Sequence, residues 1–219
     1  MLRGANQTMI KGILLDLDGT LIDTNELVIR SYSHTLKSVL NLEISRDEII
    51  SYFGEPLKIT LGRYCTQEQL SDVVKFYRKF NIDNHDILVK GFPQVQQTLE
   101  ILKSKGLKIA VVTSKMRDTT LKGLNLCSLQ DYIDIIIAFE DTDEHKPTAA
   151  PVIKALEKLE LKPEEVLMVG DSPNDIESAH QAGVRCAIVE YSLIKRAELE
   201  KFQPDFWLKT LMDINDLIK

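Results

Sequence analysis

Five short apolar runs, rich in β-branched residues, alternate with stretches of helical pattern along this 219-residue chain. The runs are IKGILLD (10–16), LKIAVVT (107–113), IDIIIAF (133–139), VLMVGD (166–171) and CAIVE (186–190). Runs of this length and composition are typical of strands that are buried on both faces of a sheet. Strands that alternate with helices predict an α/β fold, in which right-handed β-α-β units build a parallel sheet.

Residues 24–90 contain no such run and have a helical pattern instead. Ser45 and Thr66 are each followed three residues later by Glu or Gln, which predicts two capping boxes. The segments YSHTLKSVL and LSDVVKFYRKF then carry apolar residues at helical spacing. The pattern predicts an all-helical insertion at 24–90, within a core domain formed by residues 1–23 and 91–219.

Composition and charge argue against several classes of protein. The chain is 44% hydrophobic and has a net charge of −6, which suits a globular protein and does not favour binding to nucleic acid. No run approaches the roughly 18 to 20 apolar residues of a membrane span, and the first nine residues lack a signal-peptide core. The three widely spaced cysteines fit neither a disulfide framework nor a zinc site, so we expect a cytoplasmic location.

Two carboxylates stand two residues apart, directly after the first strand, in DLDGTL (16–21). Ligands of open α/β sheets bind at the carboxyl ends of the strands, so Asp16 and Asp18 are candidate catalytic residues. Gly19 permits the chain to turn sharply beside such a site. A plain turn is the alternative, while a calcium-binding loop is excluded because its twelfth position is Leu27 rather than Glu.

A second acidic motif, GDSPND (170–175), ends the fourth apolar run. Asp171 and Asp175 would join the first pair, and clustered carboxylates repel one another unless a cation holds them. Oxygen ligands without a nearby His or Cys indicate Mg²⁺ rather than zinc. For Asp175, a favourable charge at a helix N-terminus remains an alternative.

Thr113 ends the second strand and Lys146 follows the third. A hydroxyl and the backbone amides after it can bind phosphate oxygens at a helix start, and a lysine suits either a phosphate or an aspartate. Taken singly, such residues are most often structural. Their order along the chain, between the two acidic motifs, is what makes them candidates.

In this order the four elements resemble the haloacid dehalogenase-like phosphohydrolase superfamily. Its pattern is a strand followed by DxDGT, a strand followed by Ser or Thr, a Lys, and a strand followed by GDxxxD. The resemblance extends over essentially the whole chain. It implies a Rossmann-like three-layer core with parallel strand order 5-4-1-2-3, and an inserted all-helical cap that matches residues 24–90.

The resemblance also implies a role for each residue. Asp16 is the expected nucleophile, which forms an aspartyl-phosphate, and Asp18 is the expected general acid and base. Thr113, Ser114 and Lys146 are expected to bind the phosphoryl group. An acid at position 18 favours phosphoryl transfer over carbon–halogen cleavage, because a halide leaves without a proton.

The expected cofactor is Mg²⁺. The resemblance implies that the side chains of Asp16 and Asp171 and the backbone carbonyl of Asp18 hold it. Asp175 is expected to assist directly or through water.

The expected substrate class follows from local resemblances to the pyrophosphatase branch of the phosphoglycolate-phosphatase-like group. These resemblances lie at residues 24–27, 53–58, Lys115, 118–134 and 144–148. They imply hydrolysis of inorganic pyrophosphate to two phosphates. Phosphoglycolate or another small phosphomonoester is the rival substrate, and a phosphomutase or an inactive phosphate-binding module are further alternatives.

The cap contributes the last candidates. Lys58 and Arg63, on one predicted helix, would place positive charge over a second phosphate, with a solvated surface as the alternative. Glu55 would orient such a cation or face water. His34 lies within an apolar helical pattern and is expected in the core. We expect a monomer or a weak dimer, with no membrane partner, and Met9 is a second candidate start of the chain.

Overall fold

The computed structural model describes residues 9–218, so the first eight residues of the predicted core lie outside the described range. Within this range the strands are β1 (Gly12–Leu15), β2 (Ile22–Asp23), β3 (Lys90–Gly91), β4 (Lys108–Val112), β5 (Ile135–Ile137), β6 (Val166–Gly170), β7 (Arg185–Val189) and β8 (Phe206–Leu208). Six of these described strands form one parallel sheet in the order β5-β4-β1-β6-β7-β8. The α/β class predicted from the alternating runs is confirmed.

The predicted strand order is also confirmed, with one addition. When only the strands of the parallel sheet are numbered, the order 5-4-1-2-3 is present and a sixth strand, β8, lies beyond the fifth. The sequence did not reveal β8 because it is only three residues long and partly exposed at the sheet edge. Its Trp207 packs in the core layer and lies under the guanidinium of Arg196, 4.2 Å from the ring centroid.

Strand β1 lies in the middle of the sheet, and both of its faces are covered. Ile13 and Leu15 belong to one buried apolar cluster, while Leu14 belongs to a second cluster on the opposite face. Successive side chains of a strand point to opposite faces, so a strand buried on both sides needs a continuous apolar run. This explains why the run before Asp16 contains no polar alternation.

Four helices lie between β2 and β3, in a part of the chain that is fully described. They are α1 (Asn25–Leu40), α2 (Arg46–Ile50), α3 (Leu57–Leu61) and α4 (Gln67–Leu88). They enclose an apolar cluster of their own, whose buried members are Ile29, Tyr32, Leu36, Ile49, Leu61, Val73, Val74 and Tyr77. Strands β2 and β3 pair antiparallel, so the chain leaves and re-enters the sheet region at one place. We call residues 24–90 the helical segment.

The two predicted capping boxes differ in the structure. Thr66 and Gln69 form a complete reciprocal box at the start of α4. Ser45 accepts a hydrogen bond from the amide of Glu48, but the Glu48 carboxylate accepts from Tyr64 Oη at 2.7 Å instead of closing the box.

The prediction for His34 is wrong. The His34 side chain is exposed and stacks on Phe80, with ring centroids 4.4 Å apart. The apolar neighbours in the sequence that suggested a core position, Tyr32 and Leu36, are themselves buried, whereas His34 contacts the rings of Phe76 and Phe80 at the surface of the helical segment. The buried histidine of this segment is His85, near the end of α4.

The remaining helices cover the two faces of the sheet. Among the described residues they are α5 (Val95–Ser104), α6 (Arg117–Leu126), α7 (Ala150–Leu159), α8 (Pro173–Gln181), α9 (Arg196–Leu199) and α10 (Ile214–Leu217). Short 3-10 helices occur at Gln130–Tyr132, Phe139–Asp141, Pro163–Glu165, Glu200–Phe202 and Leu211–Asp213. Between residues 9 and 218, no helix combines the length and the apolarity that crossing a membrane requires.

Candidate active site

Three neighbouring strands end in residues that the sequence singled out. Asp16 follows β1, Thr113 follows β4 and Asp171 follows β6, and β1 lies between the other two strands. The strand pairing continues past the assigned ends, because the Asp16 amide donates to the Val169 carbonyl at 2.9 Å and the Thr113 amide to the Ile137 carbonyl at 3.0 Å. The sheet therefore brings these residues together at one edge.

Three carboxylates form a buried cluster at this edge. One oxygen each of Asp16, Asp171 and Asp175 lies within 4.8 Å of the others, and the residues are 6%, 5% and 0% exposed. Burial raises the pKa of Asp16 to about 7, an effect that Lys146 opposes and Asp175 increases. Burial, reinforced by the charges of Asp175 and Asp16, raises the pKa of Asp171 well above its usual range. The cluster therefore requires positive charge if all three groups are to be ionised.

Lys146 supplies part of that charge. Its Nζ donates to Oδ1 of Asp16 and to Oδ1 of Asp175, each at 2.6 Å, and to the Val112 carbonyl at 3.1 Å. Burial alone would lower the pKa of Lys146, but the two carboxylates raise it above its usual value, so the ammonium is charged. Asp171 forms no ion pair within residues 9–218.

Asp175 organises the loop that carries Asp171. Its Oδ2 accepts from the amides of Asp171 and Ser172 at 3.2 and 3.1 Å, and from Ser172 Oγ at 2.7 Å. The Asp175 carboxylate thereby accepts from the N-cap amide at the start of α8, so the helix-terminal role that the sequence left open is present. Both carboxylate oxygens of Asp175 already have protein partners, which suits an indirect role at a metal.

Asp18 lies outside the carboxylate cluster and pairs with Lys115, a residue without a predicted role. Its Oδ1 is 2.8 Å from Nζ of Lys115, and the two side chains are 31% and 13% exposed. Gly19 then turns the chain with φ +83°, and a Cβ there would lie 2.2 Å from Oδ2 of Asp171. Glycine is therefore required for the close approach of the two acidic loops. Two sequence signals pointed to Lys115: its place just after a strand end, and its share in the resemblance to the pyrophosphatase branch.

The two hydroxyl groups after β4, those of Thr113 and Ser114, differ in their hydrogen bonding. Thr113 Oγ1 accepts from the amide of Lys115 at 3.2 Å. Ser114 Oγ is buried and has no hydrogen-bond partner in the described part of the chain. A buried hydroxyl without a partner is costly, so Ser114 is suited to an oxygen-rich ligand.

Of the three candidate residues in the helical segment, Glu55 and Arg63 contact each other, and Lys58 stands apart from them. Both terminal guanidinium nitrogens of Arg63 contact the Glu55 carboxylate, at 2.7 and 3.0 Å. The guanidinium also lies over the Tyr52 ring, 4.9 Å from its centroid. Helix α3 ends at Leu61, so Arg63 does not share a helix with Lys58 as the sequence predicted. Lys58 is exposed on α3.

The donor set of the carboxylate cluster fits a hard divalent cation. The grouped ligand atoms are all carboxylate oxygens, and the residues are buried. Burial, reinforced by mutual repulsion, raises the pKa of Asp16 and Asp171, and a cation bound there would offset both effects.

Comparison with known proteins agrees with this geometry. Residues 13–189 match the family model described as haloacid dehalogenase-like hydrolase. The chain is 44% identical over 210 residues to a candidate pyrophosphatase PpaX of Caldanaerobacter subterraneus, covering 96% of this chain and 95% of that protein. It is 40% identical over 205 residues to pyrophosphatase PpaX of Bacillus cereus, covering 94% of each.

A solved structure has the same fold over almost the entire chain. It is a predicted phosphoglycolate phosphatase from Haemophilus somnus, with a TM-score of 0.88 and 26% identity, covering 98% of this chain and 100% of that one. The family model and the two relatives each match most of the chain. The chain therefore belongs to the haloacid dehalogenase-like hydrolase family.

Proposed function

We propose that the protein is a Mg²⁺-dependent phosphohydrolase that hydrolyses inorganic pyrophosphate through an aspartyl-phosphate on Asp16. The observation that carries the chemistry is the position of Asp16, buried beside Asp171 and held by Lys146 at 2.6 Å. An anionic nucleophile and a phosphate repel each other, so attack needs fixed positive charge at the reacting atoms. The names of the relatives that match most of this chain support pyrophosphate as the substrate.

The phosphoryl group is proposed to lie between β1 and the loop after β4. Thr113 and Ser114 offer hydroxyls there, and the Ser114 hydroxyl lacks a partner within residues 9–218. The ammonium of Lys146 already uses three hydrogen bonds, so it acts mainly by its charge and by holding Asp16 in place.

For Mg²⁺, the proposed ligands are the side chains of Asp16 and Asp171 and the backbone carbonyl of Asp18. Asp175 is assigned an indirect role, because both of its oxygens accept hydrogen bonds within the protein. When bound, the cation offsets negative charge on the phosphoryl oxygens and on the nucleophile.

The proton transfers are assigned to Asp18. It donates a proton to the leaving oxygen and then accepts one from the water that cleaves the aspartyl-phosphate. Lys115 Nζ lies 2.8 Å from Asp18 Oδ1, so it stands beside the position of the leaving group. We therefore assign Lys115 to the second phosphate of pyrophosphate. Arg63 is already paired with Glu55, and the roles of Arg63 and Lys58 stay predictions.

The helical segment is proposed to act as the cap of this site. It has an apolar cluster separate from the two clusters of the sheet, and it is connected through the paired strands β2 and β3. We therefore propose the domain bounds that the sequence predicts, with a core formed by residues 1–23 and 91–219 and a cap formed by residues 24–90.

Phosphate release in the presence of Mg²⁺ tests this proposal. We expect kcat/KM to be higher for pyrophosphate than for phosphoglycolate, sugar phosphates and nucleotides. Phosphoglycolate is the second candidate, because the similar solved structure carries that name. A preference for phosphoglycolate of about tenfold or more would overturn the substrate but not the role of Asp16. A phosphomutase would release little phosphate, and an inactive module would release none.

A further inference from the structure

One loop of the cap, residues 51–57, directly contacts the segment 171–175, which follows β6 and which we call the acidic loop. Asn174 Nδ2 donates to the Gly54 carbonyl at 2.7 Å, although 120 residues separate them in the chain. Gly54 lies in the turn between α2 and α3, while Asn174 lies in the first turn of α8. Asn174 stands between Asp171 and Asp175, so this bond joins the cap to the segment that carries two of the clustered acids.

The contact around Gly54 leaves no room for a side chain. Gly54 has φ +86°, and a Cβ there would lie 2.8 Å from Ser172 Oγ and 3.2 Å from Asn174 Nδ2. Ser172 Oγ itself donates to Asp175 at 2.7 Å. The backbone of the cap loop therefore rests on side chains that order the acidic loop.

A second contact reaches the same loop from another direction. Leu193, beyond β7, packs against the apolar cluster of the cap. The preceding residue, Ser192, donates from Oγ to the Asp171 carbonyl at 2.7 Å. Each of these two contacts between cap and core therefore leads within two residues to the segment 171–175.

We infer that Asn174 is a positioning residue that fastens the cap loop (51–57) over the acidic loop and so restricts the site to compact phosphate substrates. A fastened loop admits pyrophosphate, whereas a bulky leaving group needs the loop displaced. The substrates named here rest on the proposed function. The fastening itself rests only on the contacts of Asn174, Gly54 and Ser172.

The test compares Asn174→Ala with the unmodified protein. The loss of one neutral hydrogen bond is expected to lower kcat/KM for pyrophosphate by about three- to tenfold. For p-nitrophenyl phosphate, which has a bulky leaving group, kcat/KM is expected to stay unchanged or to rise. Amide hydrogen exchange in residues 51–57 is expected to become faster. Asn84→Ala is the matched control, because Asn84 donates to the Phe80 carbonyl at 2.8 Å within the cap alone.

Gly54→Ala is a second variant that tests the same contact, because the added methyl group would lie too close to Ser172. The same faster exchange in residues 51–57 is expected. Unchanged exchange in residues 51–57 in both variants would overturn the inference. An equal loss for both substrates, together with a lost stabilisation by Mg²⁺, would overturn it too, because that outcome means damage to the acidic loop. Faster exchange in Asn174→Ala, in a protein that does not hydrolyse pyrophosphate, would support the fastening and refute the proposed function.

Discussion

The carboxylate of Asp18 lies 2.8 Å from Nζ of Lys115, although the two residues are 97 positions apart. Asp18 follows β1 and Lys115 follows β4, and these strands are neighbours in the sheet. The strand order therefore places a lysine beside the proposed general acid. For a substrate whose leaving group is a phosphate, this lysine supplies charge where charge develops.

Lys115→Ala is expected to raise KM for pyrophosphate by about ten- to a hundredfold, through the loss of a charge-assisted contact. The effect on p-nitrophenyl phosphate should be much smaller, since its leaving group carries no phosphate. Steady-state kinetics with both substrates checks this. Lys122→Ala is the matched control, because Lys122 lies on α6 and pairs with Asp86 at 3.2 Å. Equal losses on the two substrates would contradict the assignment of Lys115.

Lys146→Met should destabilise the protein strongly. The substitution leaves Asp16 and Asp175 buried without their shared cation. Breaking a buried pair in this way costs about 3 to 5 kcal/mol, and urea denaturation without divalent cations measures it. Added Mg²⁺ should restore part of the loss. Lys158→Met, at an exposed position of α7, should change the free energy of unfolding by about 0.5 kcal/mol or less. A similar small change in Lys146→Met would refute the account of this lysine.

Stabilisation by Mg²⁺ should depend on pH. Burial raises the pKa of Asp16 to about 7 in the metal-free protein, whereas an unfolded Asp titrates near 4. The folded protein therefore binds this proton more tightly, and its stability falls as the pH rises towards and through about 7. Cation binding needs the ionised carboxylate. The increase in Tm on adding Mg²⁺ should thus be larger at about pH 8 than at about pH 6. A larger increase at the lower pH would contradict this prediction.

Asp18→Asn should affect esters more than pyrophosphate. The phosphate that leaves pyrophosphate is already a good leaving group, so it depends less on protonation than the alkoxide of phosphoglycolate does. The ratio of kcat/KM for the two substrates, in the variant and in the unmodified protein, measures the difference. An unchanged ratio would mean that water activation limits both reactions.

Much of the core could be predicted because parallel strands that are buried on both faces leave continuous apolar runs. The acids at their ends, Asp16 and Asp171, then mark the edge at which ligands bind. Strand β8 was missed, since three partly exposed residues carry no such signal. His34 was misplaced because Tyr32 and Leu36, each two residues away, are buried, while the His34 side chain itself is exposed on α1.

Contacts between distant segments could not be predicted. The pair of Asp18 with Lys115 depends on which strands are neighbours, and no periodicity of one segment records that. The bond from Asn174 to Gly54 depends on how the helical segment lies on the sheet. By contrast, the pairing of Arg63 with Glu55 is one of the two alternatives that the sequence left open for Glu55, although α3 ends earlier than the sequence predicted.

The most direct test of the central claim is phosphate release from pyrophosphate by Asp16→Asn with saturating Mg²⁺. The substitution keeps the shape of the side chain and removes the attacking charge. We predict a loss of turnover on the order of a thousandfold or more, with the cooperative thermal unfolding of the protein retained. Turnover within about tenfold of the unmodified protein would contradict the assignment of Asp16 as the nucleophile.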